Sequence, residues 1–239
     1  MIKHGVLLAG GNGTRMRPFS NFFNKALVPV NDKFLIDYPI QTLKDAGVSE
    51  LCVVLGGEHF AQIAAYLKDG ADFGMNISYV FQREPLGIAH GINLTKNIIG
   101  NNEFITLLGD NFYQKPIHFN NDRGCKIILK SSNELYRFGV ASVDRDNREI
   151  IKVREKPKPQ TLEPQLDHFA ITGFYKFDKD FFEFFKLLKP SDRGEYEVVH
   201  IIQHYMNNSN LGYSIIDFAW QDCGTFPALE LVREHLRKP

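Results

Sequence analysis

Val6-Leu7-Leu8-Ala9-Gly10-Gly11-Asn12-Gly13-Thr14-Arg15-Met16-Arg17-Pro18 is a short apolar run that breaks into a glycine cluster and ends in two guanidinium groups. The apolar run has the length and composition of a buried strand. Glycines let backbone N–H groups approach a polyphosphate closely, because no Cβ intervenes. Arg15 and Arg17 add charge and forked donors for phosphate oxygens. The stretch predicts a phosphate-binding loop on the first strand of an α/β domain. It is neither of the two commonest loops of that kind. A Walker A loop has Lys-Ser/Thr after its last glycine, whereas Gly13 is followed by Thr14-Arg15. A dinucleotide fingerprint has Gly or Ala where Met16 stands. Taken alone, the loop also suits a tight turn with two solvated arginines, so the rest of the chain has to decide.

Downstream of the loop, strand-like and helix-like segments alternate. Leu51–Leu55, Ile77–Phe81 and Phe104–Leu108 read as strands, and Leu35–Ala46, Glu58–Leu67 and Leu86–Ile98 as helices. Such alternation predicts βαβ units and a mainly parallel sheet. After residue 110 the pattern changes. Strands are expected at 127–129, 139–143, 150–153, 169–177 and 213–218, and helices at 181–188, 196–206 and 228–236. Asp144-Arg145-Asp146-Asn147 reads as a hairpin turn, and the proline-rich stretch 156–164 as a loop. No repeat or linker divides the chain. The expectation is one Rossmann-like α/β domain, 1–239, with a mixed, mainly parallel central sheet flanked by helices. A nucleotide half (about 1–112) would be followed by a sugar-phosphate half (about 113–239).

Composition narrows the function classes. The 28 basic residues balance 28 acidic ones, which argues against a broad nucleic-acid surface. Any phosphate site must come from local clustering. The chain is 44% hydrophobic, enough for a sizeable core, but no run approaches membrane-spanning length. Cys52, Cys125 and Cys223 are far apart and fit neither zinc nor a disulfide framework, so a reducing, cytoplasmic setting is expected. His59, His118, His200 and His204 share no ligand spacing with carboxylates.

LAGGNGTRMRP followed by Asn24-Lys25-Ala26-Leu27-Val28-Pro29-Val30 resembles the signature of sugar nucleotidyltransferases, most closely the short-type glucose-1-phosphate thymidylyltransferases. The resemblance continues in order along the chain. It runs through Gln82, Gly87-Ile88-Ala89, Gly109-Asp110-Asn111, Phe138-Gly139-Val140 and Glu155-Lys156-Pro157. It then takes in Ala170-Ile171-Thr172-Gly173, Arg193-Gly194-Glu195-Tyr196-Glu197 and Trp220-Gln221-Asp222-Cys223-Gly224-Thr225. Any one of these is weak; their shared order is not. The resemblance implies transfer of a nucleotidyl group from dTTP or UTP to a sugar-1-phosphate, glucose-1-phosphate favoured, with release of pyrophosphate. Close variants would use CTP or another phosphorylated acceptor.

Asp110 follows an apolar strand, at the edge where open α/β sheets bind ligands. A carboxylate there suits Mg²⁺, which prefers carboxylate and phosphate oxygens. Asp222 is expected in a similar setting after the 213–218 strand, and the resemblance makes the two aspartates a metal pair. It also implies that Arg15, Lys25 and Lys156 act on the reacting phosphates. The nucleotide would lie on Leu8, Ala9, Gly10, Gly11, Gly13, Thr14, Gln82 and Gly87. The sugar would meet Asn111, Gly139, Glu155, Thr172, Gly173 and Trp220. An anionic sugar-phosphate nucleophile needs no general base, so cations and donors are what the chemistry requires. Asp144-Arg145-Asp146 and Asp178-Lys179-Asp180 spell Asp-x-Asp, but read as a turn and a helix start.

The chain departs from the family in places. Cys223 replaces Thr, Asn24 replaces Pro or Ser, and Val198-Val199-His200 stands where Ile-Thr-Asp is usual. His90 stands where the thymidylyltransferases usually carry Gln, and it reads as an ordinary helix residue. The additional C-terminal helices of the short-type enzymes, with their tetramer contacts and regulatory site, are not represented, so a monomer or homodimer is expected. Two readings from other classes remain. A non-catalytic sugar-nucleotide-binding module would be marked by loss of the metal or lysine positions, all of which are present. A glycosyltransferase would need Asp-x-Asp after a buried strand, where this chain has Gly109-Asp110-Asn111.

Overall fold

The computed structural model describes residues 2–119 and 124–237. β1 (His4–Ala9) is the expected first strand, with Val6 and Leu7 fully buried. The glycine loop, a hairpin of β2 (Pro29–Val30) and β3 (Lys33–Phe34), and α1 (Asp37–Asp45) follow. Strand and helix then alternate through β4 (Glu50–Gly56), α2 (Phe60–Leu67), β5 (Asn76–Gln82), α3 (Ile88–Asn93), α4 (Lys96–Ile99) and β6 (Phe104–Leu108). The second half begins with β7 (Asn111–Tyr113), β8 (Cys125–Lys130), β9 (Gly139–Val143), β10 (Ile150–Glu155) and β11 (Asp167–Phe177). It continues with α5 (Asp180–Phe185), α6 (Val198–Asn207), β12 (Leu211–Ile215), β13 (Trp220–Asp222) and α7 (Phe226–Arg237).

A nine-stranded mixed sheet runs in the order β10-β9-β11-β6-β1-β4-β5, with β8 beside β11 and β12 beside β8. Its β6-β1-β4-β5 side is wholly parallel. Successive strand residues point to opposite faces, and the packing follows that rule. Val6 and Val54 belong to a core covered by α3, α5 and α6, through Ile92, Phe181 and Ile202. Leu7 and Val53 belong to a second core covered by α1 and α2, through Ile40, Leu43 and Ile63. The sheet is therefore flanked by helices on both faces, as the alternation predicts.

Topology fixes where a ligand can sit. From β1 the chain builds β4 and β5 on one side, then crosses to build β6 on the other. The crevice beyond the carboxyl ends of β1 and β6 is thus a switch point, the usual ligand position in such sheets. Leu8 is in register with Leu108, and Gly109 N donates to Leu8 O at 2.9 Å, so the glycine loop and Asp110 leave adjacent strands side by side. A register shift between Ile171 and Tyr175 bends β11. Gly173 sits in it with φ +82°, and a Cβ there would lie 2.7 Å from Leu108 Cδ1, so only glycine fits.

Two expectations need correction. The single helix expected over 86–98 is broken between α3 and α4, where buried Thr95 turns its hydroxyl back to donate to Ile92 O at 2.7 Å. The strand expected over 213–218 ends at Ile215. Asp222 is instead carried by the separate strand β13, which pairs antiparallel with β7 and places Asp222 opposite Asn111. A third core joins Met16, Val28, Leu35, Phe112 and Cys223 to Leu229 and Val232, packing α7 beneath the glycine loop. Among the described residues no helix is long and apolar enough to cross a membrane.

Candidate active site

The loop is held from below. Gly13 adopts a left-handed conformation that starts a 3-10 turn over Thr14–Met16, and Met16 is fully buried. This anchor leaves Arg15 reaching outward, with its side chain 55% exposed. Asn24, a departure from the family pattern, caps a later 3-10 turn, Lys25–Leu27. Its Oδ1 accepts from Ala26 N at 2.9 Å, while its own N donates to Gln62 Oε1 on α2 at 2.8 Å. That cap sets Lys25, whose ammonium pairs with the Asp110 carboxylate.

Asp110 and Asp222 are brought together by the β7–β13 pair and by Cys223 N, which donates to Asp110 O at 2.8 Å. Cys223 itself is fully buried in the third core. Burial pushes the Asp110 carboxyl upward, but Lys25, by charge and by hydrogen bond, holds it below the usual carboxylate range. Burial pushes Asp222 up, and the Asp110 charge pushes it further, against Arg15, Lys25 and Arg137. Arg137 Nη2 donates to Asp222 at 3.3 Å, and Arg15 Nη2 lies 3.8 Å away. Among the described residues no group of three or more His, Cys, Asp or Glu gathers as a metal cage. A Mg²⁺ ion does not require one, because it takes one or two carboxylates and completes its shell with phosphates and water. A charged Asp110 beside an Asp222 whose ionisation it makes costlier is a carboxylate pair that fits such an ion.

Two cavities meet at Asp110. The larger, about 430 Å³, is lined by Asn111, Gly139, Glu155, Lys156, Thr172, Gly173 and Trp220, and by Arg15, Asp110 and Asp222. The other, about 280 Å³, is lined by Leu8, Gly10, Gly11, Lys25, Gln82 and Gly87. Ile88, Leu108 and Asp110 belong to both walls. Thr14 lies on the other flank of the loop, in a smaller cavity of about 110 Å³ that Gly11 and Lys25 share. Of the expected site residues only Ala9 and Gly13 line none of the three. Ala9 is buried in β1, and Gly13 shapes the turn.

In the larger cavity, Trp220 stacks obliquely on Phe138 with ring centroids 5.0 Å apart. Lys156 holds a left-handed backbone at φ +41°, fixed by its N–H to Phe138 O at 3.0 Å. Such a conformation in a lysine costs energy that the surroundings must offset. Its ammonium lies 3.6 Å from Glu155 Oε1. Burial and the Glu197 charge raise the Glu155 pKa against Lys156 and Arg193.

Sequence reasoning passed over Arg137 and quoted Arg193 without giving it a role. Arg137 precedes the quoted Phe138-Gly139-Val140, yet it reaches Asp222, 85 positions away, and stacks its guanidinium 5.3 Å from the Phe138 ring centroid. Arg193 binds Glu197 at 2.8 Å and Glu155 at 3.3 Å, linking the start of α6 to the end of β10. The arginine types were visible, but nothing local announced such distant partners.

An open α/β sheet with a glycine loop at its switch point and a second cavity beside it defines a class of Rossmann-like folds. Within that class the chain matches the Nucleotidyl transferase family over residues 4–238, and it belongs to that family. It is 36% identical over 234 residues to a glucose-1-phosphate thymidylyltransferase of Neisseria meningitidis, covering 94% of this chain and 79% of that one. It is 35% identical over 231 residues to the low-salt glycan biosynthesis nucleotidyltransferase Agl11 of Haloferax volcanii, covering 92% of this chain but only 62% of Agl11. A Bacillus anthracis structure described as a glucose-1-phosphate thymidylyltransferase, with sucrose bound, superposes with TM-score 0.88 at 33% identity. That match covers 100% of this chain and 96% of the other.

Proposed function

We propose that this protein transfers a nucleotidyl group from dTTP or UTP to a sugar-1-phosphate, glucose-1-phosphate favoured, giving a nucleotide sugar and pyrophosphate. One observation carries the reading. A cavity walled by the glycine loop, Gln82 and Gly87 and a cavity walled by Lys156, Glu155 and Trp220 share Asp110, so two substrates can meet at one carboxylate pair. The nucleotide belongs in the half before about residue 112, and the sugar phosphate in the half after it.

The anionic phosphate oxygen of the sugar-1-phosphate attacks the α-phosphorus. The new P–O bond forms as the bond from the α-phosphorus to the bridging oxygen breaks, and the electron pair leaves with pyrophosphate. No proton has to be removed. The barrier is mainly charge repulsion and alignment, which fixed cations lower. Lys156 holds the incoming phosphate, and Lys25 and Arg15 meet the charge of the triphosphate. Asp110 and Asp222 are the residues that would hold Mg²⁺, which when bound screens the charge on the phosphate oxygens.

The test is pyrophosphate release in Mg²⁺, crossing dTTP, UTP, CTP, ATP and GTP with glucose-1-phosphate and other sugar-1-phosphates. Release that needs one triphosphate and one sugar phosphate together is the expected result. Folded protein that binds nucleotide sugars in EDTA but releases nothing with any pair would replace this reading with the binding module.

A further inference from the structure

His90 is the family departure that the proposed chemistry leaves unused. It lies on α3 with its ring stacked against Tyr196, centroids 6.1 Å apart and planes at 26°. Its Nδ1 lies 3.0 Å from Gln82 Nε2. The same Nε2 donates to Gly87 O at 3.2 Å. A carbonyl oxygen can only accept, so the nitrogen end of the Gln82 amide is the end that faces Gly87. An amide NH₂ has two hydrogens. One goes to Gly87 O, and the other is left for His90 Nδ1, which must then be unprotonated.

The anchor for this arrangement is firm. Gly87 has φ +98°, and a Cβ there would lie 2.7 Å from Tyr196 O. Tyr196 in turn donates to Leu86 O at 2.8 Å and accepts from Ala89 N at 3.2 Å. With both hydrogens committed, the cavity receives the oxygen of Gln82. A Cβ at Gly10 would lie 3.3 Å from Oε1, and Gly10, Gln82 and Gly87 share the same cavity wall.

We propose that His90 is a positioning residue that locks the Gln82 amide with Oε1 toward the base cavity. The cavity thereby selects nucleotides whose base carries an N–H at the centre of its pairing edge. Thymine, uracil and guanine offer that donor, whereas cytosine and adenine present a lone pair. The inference rests on the nucleotidyl-transfer reading for its substrate and deepens it by naming a residue that sets its preference for base. Burial lowers the His90 pKa, against Glu84, which favours the neutral imidazole that the lock requires.

The test compares kcat/KM for dTTP and CTP in the protein, in His90→Phe and in His90→Asn. His90→Phe keeps a ring against Tyr196 and removes the acceptor. His90→Asn can place Oδ1 where Nδ1 stood. The protein should favour dTTP by roughly a hundredfold or more, as sites that hydrogen-bond their substrate do. In His90→Phe the preference should fall about tenfold, the worth of one such bond, mainly by gain with CTP. His90→Asn should stay within about threefold of the original ratio. An unchanged ratio in folded, active His90→Phe overturns the proposal, as does an active protein with no dTTP preference. If His90→Phe does not fold, dTTP methylated at N3 serves instead. It should bind the unaltered protein at least about tenfold more weakly than dTTP, and equal binding overturns the proposal. ¹⁵N NMR of the histidines should show His90 with a bare Nδ1, and a protonated Nδ1 near neutral pH overturns it. If no pair turns over, the transfer reading fails, while equilibrium binding of dTTP against CTP still decides the lock.

Discussion

Trp220 Nε1 donates to Asn111 Oδ1 at 2.6 Å, joining residues 109 positions apart across the β7–β13 pair. The bond lies in the wall of the larger cavity, and Asn111 is 1% exposed. Trp220→Phe leaves the buried Asn111 oxygen without this donor, a loss of about 1 kcal/mol. The expected result is a rise of roughly fivefold in KM for the sugar phosphate, with KM for the nucleotide within about twofold. Equal rises in both constants would show that the bond supports the fold as a whole rather than the sugar side.

Lys25 neutralises Asp110 where both side chains are largely buried, 17% and 13% exposed. Lys25→Met leaves that carboxylate unpaired, at a cost of about 2 kcal/mol. Thermal melting should show the drop, and Mg²⁺ should recover a larger part of it than it adds to the unaltered protein. Turnover should fall by at least about a hundredfold, the scale of losing one charge-stabilising group.

Asp222 and Asp110 have opposite linkage to pH. Asp222 has a folded pKa raised from 3.8, first by burial and then by Asp110. Its contribution to stability is therefore full below the unfolded value and is lost as pH rises through the folded one. Asp110 is held below 3.8, so its contribution is present above that value and is lost as pH falls through the folded one. Asp222→Asn removes turnover, yet at neutral pH without metal it should melt about 2 °C or more above the unaltered protein. That gap should close as the pH approaches 4. A variant that melts lower at neutral pH would show that Arg15 and Arg137 outweigh the repulsion.

Lys156 carries its ammonium on a left-handed backbone, φ +41°. Lys156→Ala and Lys156→Gly lose the same charge and should lose activity alike. They should differ in stability, with the glycine variant the more stable by about 1 kcal/mol, since only glycine holds that conformation without steric cost. Equal melting temperatures would mean that the backbone stores no strain there.

Much of this was legible because it is contiguous. The run from Val6 to Gly13 gives strand, break and loop within eight letters, and Phe104–Asp110 gives a buried strand ending in a carboxylate. What was not legible depends on pairings too short to leave a period. Trp220–Asp222 and Asn111–Tyr113 are three-residue strands, and nothing in either stretch names the other. The expected strand over 213–218 went too far for the same reason. Ile216 looks like a strand residue, but it dips into the core as the chain leaves β12. Arg137 was hidden because its role exists only through Asp222. His90 was visible as a departure, but its meaning lies in which end of a neighbouring amide it faces.

Beneath the glycine loop, Met16 packs with Leu229 and Val232, and Arg233 donates to Pro29 O at 2.7 Å. A ribosome releases the loop long before the helix that seats it. At translation rates of roughly 5–20 residues per second, the interval from Met16 to Val232 is on the order of ten to forty seconds. Through that interval the nascent loop has only the part of its floor that Val28, Leu35 and Phe112 supply, and lacks the helix beneath it. A growing chain therefore cannot finish the loop until α7 has been released, so the first-made turn waits on a helix made more than two hundred residues later.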